Sequence, residues 1–365
     1  MPDLHSQRGN SPADAIVLVG GKGTRLRPLT LSAPKPMLPT AGVPFLSHLL
    51  SRIKAAGLTH VILGTSYQPE VFEKYFGDGS AIGLELEYVV EAEPLDTAGA
   101  IRNVADRLRS DDAVIFNGDI LSGTDPRALL GSHRDAGADV TLHLVKVADP
   151  ARFGSVPTDE AGRVTAFLEK SPNPPTDQIN AGCYVFRRNV IEAIPAGRPV
   201  SVERETFPGL LGAGAHLHGF VDAAYWLDVG TPAAFVQGSA DLVRGIAPTG
   251  ALPGPVGERL VLAGATVAAD AVVDGGSVIG AGAKVLPGAT VTSSVLFDGV
   301  HVEPGAVVTN SVLGKGVRVG AGAVLRGAVL GDGVSVGADC ELIDGARVWP
   351  EVRLPDGGIR FSPGT

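Results

Sequence analysis

Apolar and polar positions follow two different rhythms along this chain. Up to about residue 245, short aliphatic runs at Ala15–Val19, His60–Leu63, Leu84–Val90, Ala113–Phe116 and Val140–Val147 alternate with stretches of helical spacing. Between the first two runs, Phe45–Ala56 places Leu46, Leu49, Leu50 and Ile53 on one helix face and stops at Gly57, a common C-terminal signal. Pro69–Phe76 and Ala98–Leu108 predict further helices. Strand and helix in alternation predict a parallel or mixed sheet covered by helices, an α/β layer sandwich. Beyond Val147 the pattern predicts strands at Arg163–Glu169, Ile179–Phe186 and His216–Val221, with helices at Arg204–Leu211 and Pro232–Arg244.

From Arg259 the rhythm becomes an internal repeat. Ser277–Ser293, Ser294–Asn310, Ser311–Gly327 and Ala328–Asp344 align as successive blocks, preceded by Arg259–Gly276. Aliphatics recur six apart within each block: Ile279, Val285, Val291; Leu296, Val302, Val308; Leu313, Val319, Leu325; Leu330, Val336, Leu342. Three inward aliphatics per coil, with small residues at the corners, describe a three-sided prism of parallel strands. The pattern resembles the left-handed β-helix of hexapeptide-repeat proteins, and five coils at about 4.8 Å each make a prism of roughly 24 Å.

The expected organisation is a leader over residues 1–13, a catalytic domain over 14–245, a linker over 246–258, the β-helix over 259–345 and a cap containing Trp349 over 346–365. A length of 365 residues agrees with two domains. The net charge of -9 argues against non-specific binding to nucleic acid or to an anionic membrane. No run approaches the roughly 18 apolar residues of a membrane span. Cys183 and Cys340 are the only cysteines, too few for a disulfide framework or a cysteine-rich metal site, so a cytoplasmic protein is expected. Nothing basic adjoins Cys183 to activate it.

Positive charge is concentrated after the first apolar run. Gly20-Gly21-Lys22-Gly23-Thr24-Arg25-Leu26-Arg27-Pro28-Leu29-Thr30 leads on to Ala33-Pro34-Lys35-Pro36. Glycines let consecutive N–H groups approach an anion, and the cations can neutralise charge that shifts during phosphoryl chemistry. The loop is therefore predicted to hold a nucleoside triphosphate. It is neither of the two commonest phosphate loops: Leu26 stands where a dinucleotide fingerprint needs its third glycine, and Gly23 follows Gly21-Lys22 where a P-loop needs Ser or Thr. Asp119 follows Ala113–Phe116, at the carboxyl end of a predicted central strand, where open α/β sheets bind ligands.

GGKGTRLRPLT followed by APKP resembles the signature of the sugar-1-phosphate nucleotidyltransferases, the NDP-sugar pyrophosphorylases. The resemblance continues through Glu93–Gly99, Asn117-Gly118-Asp119, Phe167–Lys170, Ile179–Gly182 and Trp226–Thr231, and covers nearly the whole chain. Within that family, PLTLSAPKPMLP, FLEK and QINAGCYVF are similar to the mannose-1-phosphate guanylyltransferases, particularly those of actinobacteria. The resemblance implies a Rossmann-like nucleotidyltransferase layer sandwich followed by a left-handed parallel β-helix. It implies Mg²⁺ on Asp119 and Asp228, with Arg25 and Lys35 neutralising the departing pyrophosphate. Leu18, Gly20, Gly21, Gly23, Thr24, Thr97 and Gly99 are implied around the nucleotide, and Gly118, Glu169, Lys170, Asn180 and Gly182 around the sugar phosphate. The implied substrates are GTP and mannose 1-phosphate. One position departs from the branch: Asp96 stands where it carries glycine, in the loop near the base.

Three further readings share these residues. Glucose 1-phosphate with UTP or dTTP is the alternative substrate pair. A non-catalytic regulatory subunit that binds a sugar nucleotide is opposed by intact Arg25, Lys35, Asp119, Lys170 and Asp228. An acyltransferase on the β-helix would have His301 alone as its base. The flat faces of the prism instead predict a homo-oligomer.

Overall fold

The structure, a computed structural model, describes residues 13–66 and 68–360. The chain gathers into two compact units: residues up to Gly21 with Leu50–Trp226, and Lys22–Leu49 with Leu227 onward. Residues 1–12 of the expected leader lie outside the described residues, whereas Ala13 is buried.

The first unit is built on a sheet of seven strands: β1 (Asp14–Leu18), β2 (His60–Thr65), β3 (Glu85–Val90), β4 (Asp112–Asn117), β5 (Val140–Lys146), β6 (Gln178–Arg187) and β7 (Leu217–Asp222). Their order is β7-β5-β6-β4-β1-β2-β3, parallel throughout except for β6, which runs antiparallel to both neighbours. Ala15, Ile16 and Val17 of β1 are fully buried, which is why that central strand reads as an unbroken apolar run. Among the described residues the α-helices are α1 (Phe45–Ala55), α2 (Pro69–Phe76), α3 (Asp96–Asn103), α4 (Pro126–Ala136), α5 (Arg188–Ala193), α6 (Phe207–Gly212) and α7 (Pro232–Val243). In the first unit's core, the rings of Phe167, Tyr184, Phe186 and Phe207 pack at centroid distances of 5.1 to 6.2 Å.

Three elements differ from expectation. Arg163–Glu169 is not a strand. It makes only isolated bridges, Thr158 with Val164, Ser155 with Leu168 and Arg163 with His218, because its would-be partner contains Pro157, which has no N–H to continue a ladder. The helix predicted over Ala98–Leu108 begins at Asp96 and gives way after Asn103 to a short 3₁₀ turn at Ala105–Arg107. Arg204–Leu211 is a π turn over Val202–Thr206 followed by α6. Helix α4 was not expected, although its ends are marked: the Asp125 carboxylate accepts the Arg127 N–H at 2.9 Å, and Gly137 closes the helix at φ 59°.

In the second unit the repeat forms three stacked parallel sheets of six, six and five strands, the arrangement of a left-handed β-helix. Every expected inward aliphatic from Ile279 to Leu342 is buried. Registers such as Val278 with Val295 and Val295 with Val312 advance one block per coil. One corner carries a hydroxyl ladder: Ser277 Oγ accepts the Ser294 N–H at 3.1 Å, Ser294 Oγ that of Ser311 at 3.1 Å, and Ser311 Oγ that of Ala328 at 3.0 Å. The stack also runs past residue 345. Arg347–Val348 pairs with Val329–Leu330, and Arg353–Leu354 with Ser335–Val336, because Val348 and Leu354 keep the six-residue inward spacing. Trp349 is 48% exposed and does not plug the end, so that part of the expected cap is a further coil. Among the described residues no helix is long and apolar enough to cross a membrane.

Candidate active site

In the first unit, the predicted residues gather along one edge of the sheet. Leu18 ends β1 in register with Gly64 of β2 and Asn117 of β4. Since β6 runs the other way, its start is brought to the same edge, with Cys183 opposite Phe116. Gly118 donates its N–H to the Leu18 carbonyl at 2.9 Å, and a Cβ there would lie 2.6 Å from that oxygen. Only glycine permits this approach, which leaves Asp119 half-buried immediately beyond the strand end. Gly182, at φ 75°, is likewise confined, since a Cβ would sit 2.8 Å from Asn117 Nδ2.

A cavity of about 250 Å³ opens beside this edge, walled by Leu18, Gly20, Gly21, Glu91, Asp96 and Thr97 among others. Gly20 comes so close to Ser66 that a Cβ would meet its Oγ at 2.8 Å, and Gly21 donates its N–H to the same hydroxyl at 3.4 Å. Thr97 braces the wall: its hydroxyl accepts the Val202 N–H at 2.8 Å and donates to Glu203 at 3.1 Å. Gly99 sits where a Cβ would be 2.8 Å from the Arg198 carbonyl. Asp96 adopts φ 58°, the left-handed region that favours glycine, and its carboxylate accepts the Thr97 N–H at 2.7 Å. The departure from glycine is thus met by a residue that tolerates this backbone, with its side chain exposed. Glu91 Oε2 accepts the Leu95 N–H at 3.2 Å, and burial raises the pKa of its carboxyl.

At the start of β6, Asn180 accepts the Gly182 N–H at 3.1 Å and donates to the Tyr184 hydroxyl at 2.8 Å, which fixes the plane of the amide. Each end of the amide keeps one further hydrogen-bonding position. Glu169 and Lys170 approach to 3.8 Å, with Lys170 largely exposed at φ 42°. Cys183, buried close by, has its thiol pushed up to about 12 by burial; the structure brings the Arg52 guanidinium near it, which the local sequence did not show, but its pull is outweighed by burial and the cysteine is inert.

The second unit holds the rest of the signature. Gly23, at φ 55°, has no room for a Cβ, which would meet Thr30 Cγ2 at 3.0 Å and Lys35 Cβ at 3.1 Å. The Thr30 hydroxyl donates to the Gly23 carbonyl at 2.9 Å. Three short 3₁₀ turns follow, Thr24–Leu26, Leu29–Leu31 and Lys35–Met37, anchored by buried Leu26, Leu29 and Met37. These turns leave Thr24 and Arg25 exposed and Lys35 half-buried. Arg25 and Asp228 converge beside Gly230, where a Cβ would fall 2.8 Å from Arg25 Nη2 and 3.0 Å from Asp228 Oδ1. Asp228 itself closes the short strand Trp226–Asp228.

Residues 14–245 match the nucleotidyl transferase family. This chain belongs to that family. The resemblance read from the signature therefore holds, and residues 256–356 further match the GMPPB C-terminal domain. A mannose-1-phosphate guanylyltransferase of Mycobacterium tuberculosis is 67% identical over 96% of this chain and 98% of its own length. Mannose-1-phosphate guanylyltransferase 1 of Arabidopsis thaliana is 34% identical over 77% of this chain and 78% of its own. Among solved structures, HddC from Yersinia pseudotuberculosis complexed with GMP-PN is 29% identical, with a TM-score of 0.56, covering 63% of this chain and 99% of that one.

Several residues of this nucleotidyl transferase's cavity and loop escaped the sequence reading. Glu91 and Ser66 lie outside any glycine or basic motif, and Glu203 sits in the π turn. Arg347 lies in a repeat whose pattern speaks only of inward aliphatics. A group of metal-ligand type, His60 with Glu85 and Glu87, lies at the amino ends of β2 and β3, away from the edge just described. His60 there bonds Asp14 at 2.7 Å and Glu87 at 3.0 Å, while Arg109 binds both glutamates, so the group is a structural ion network.

Proposed function

We propose that this nucleotidyl transferase transfers GMP from GTP to mannose 1-phosphate, giving GDP-mannose and pyrophosphate. The observation that carries the reading is 67% identity along 96% of the chain to a protein named for that activity. A phosphate oxygen of mannose 1-phosphate attacks the α-phosphorus in line, and the bond to the β-phosphate oxygen breaks. No covalent intermediate with the protein is needed, so its work is positioning and charge stabilisation. Gly20, Gly21 and Gly23 offer backbone N–H groups to the triphosphate, that of Gly21 by leaving its long 3.4 Å bond to Ser66. Arg25 and Lys35 neutralise the departing pyrophosphate, and Lys170 orients the attacking phosphate. Glu169, Asn180 and Gly182 receive the sugar, the asparagine through its remaining amide positions and the glycine by leaving space. Asp119 and Asp228 are oxygen donors at strand ends and fit a hard dication such as Mg²⁺, which when bound supplies charge neutralisation at the reacting phosphates.

Glu91 supports guanine as the base. Guanine presents two adjacent donors, N1–H and the exocyclic amine, which match a carboxylate; uracil and thymine present one donor between two carbonyls, which a carboxylate repels. A panel of four triphosphates against mannose and glucose 1-phosphates, read by pyrophosphate release, tests the substrates. Arg25→Ala, Asp119→Asn and Asp228→Asn are each expected to lower turnover by roughly 10²–10³. Turnover within tenfold of the parent in all three folded variants would sink the mechanism. The prism face that carries exposed Lys284, Arg318 and Arg353 supports a homo-oligomer, and light scattering that finds only the 37.3 kDa chain would exclude it.

A further inference from the structure

Arg347 opens the last strand on one face of the prism, Arg347–Val348, and its register with Val329 is set by the stacking. Val348 turns inward, so the arginine beside it points out. There its Nη1 donates to the carbonyl oxygens of Arg25 and Arg27, both at 2.9 Å, across 322 and 320 residues of sequence. A guanidinium stays charged at any working pH and holds several acceptors in a fixed fork. The two carbonyls bracket Leu26, which is 1% exposed. The turn is thereby held from inside by a buried leucine and from outside by the prism. Within the turn itself the bonds are Leu26 N–H to Gly23 at 3.0 Å and Arg27 N–H to Thr24 at 3.2 Å. A single 3₁₀ turn determines its own geometry weakly. Fixing the carbonyl of residue 25 also fixes the direction in which its side chain leaves the backbone.

We propose that Arg347 is a positioning residue for Arg25, and that through it the β-helix sets the geometry of the triphosphate loop without touching substrate. This rests on the reading of Arg25 given above, and its test separates the two. Arg347→Ala is expected to lower kcat by roughly ten- to a hundredfold, the scale on which a misplaced catalytic group acts. KM for mannose 1-phosphate and the melting temperature should stay near the parent's, and Arg347→Lys should recover part of the loss. In an Arg25→Ala background, Arg347→Ala should add almost nothing, since its effect runs through that side chain. Independently of turnover, trypsin should cut after Lys22 and Arg25 faster in Arg347→Ala, with cleavage elsewhere unchanged apart from the site lost at residue 347. If Arg25→Ala is crippled but Arg347→Ala keeps parental kcat and parental cleavage rates, the positioning role is wrong and the loop reading stands. Equal losses from Arg347→Ala with and without Arg25 overturn it as well. An Arg25→Ala variant with full activity would remove the reading on which it rests.

Discussion

Gly118→Ala is the sharpest probe of how the sheet presents Asp119. The added Cβ would start 2.6 Å from the Leu18 carbonyl oxygen and 2.9 Å from Val19 Cγ1. An ordinary carbon–oxygen contact is roughly 3.3 Å, so β1 and the chain after β4 must part by about 0.7 Å. Neither neighbour is a flexible side-chain tip; one is the backbone of the central strand. The separation also stretches the Gly118 N–H bond to Leu18, now 2.9 Å. Overpacking and a weakened hydrogen bond together cost about 3 kcal/mol, which lowers the melting temperature by roughly 6–12 °C for a domain of this size. Asp119 moves with the strand end, and a displacement of that order costs about ten- to a hundredfold in kcat. Thermal denaturation and pyrophosphate release from the same preparation measure both. Gly131→Ala is the control, since its Cβ would meet nothing within 4 Å and alanine suits the interior of α4. If Gly118→Ala melts within 2 °C of the parent and turns over within twofold, the close approach of Gly118 to Leu18 does not hold Asp119 in place.

Two other groups give tests of their own. Glu91→Gln replaces an acceptor pair by one donor and one acceptor, which suits uracil or thymine; GTP preference should fall by at least about tenfold relative to UTP and dTTP, and an unchanged ratio in the triphosphate panel would remove Glu91 from base selection. Because burial raises the pKa of Glu91, its carboxylate is lost at higher pH than an exposed glutamate's as the solution is acidified, so KM for GTP should climb early on the acid side in the parent and stay flat in Glu91→Gln. Cys183, with its thiol pushed up to about 12, should resist thiol reagents at pH 8 in the native protein and react only once denaturant opens the sheet; rapid native labelling at Cys183 would contradict its burial.

Much of the architecture was legible because it follows strict periodicity. The β1 run ends in glycines where the backbone comes close to Ser66, and the triads of the prism recur every six residues because each coil turns three corners. The harder parts were those decided by tertiary contact. Arg163–Glu169 alternates apolar and polar residues like a strand, yet Pro157 interrupts its partner. Asp96 read as a break in a family pattern, whereas the constraint at that position is a positive φ that aspartate also accepts. Glu91, Ser66 and Arg347 gave no local signal, because their partners are backbone groups and cavities assembled from distant segments. Glycine spacing marks a phosphate loop; it carries no information about which residue holds that loop still.

The stacking of coils in equal steps bears on how such a chain can evolve. Deleting Ser294–Asn310 would leave the hydroxyl ladder and the inward aliphatics able to close up, with Ser311 taking the place of Ser294 in register with Ser277. The prism would survive the loss with little complaint. Arg347 would not, since one coil fewer draws it about 4.8 Å along the axis, beyond reach of the carbonyls at 25 and 27. The repeat thus serves as a ruler: the number of coils sets how far Arg347 stands along the prism, and so whether it reaches a turn more than three hundred residues upstream.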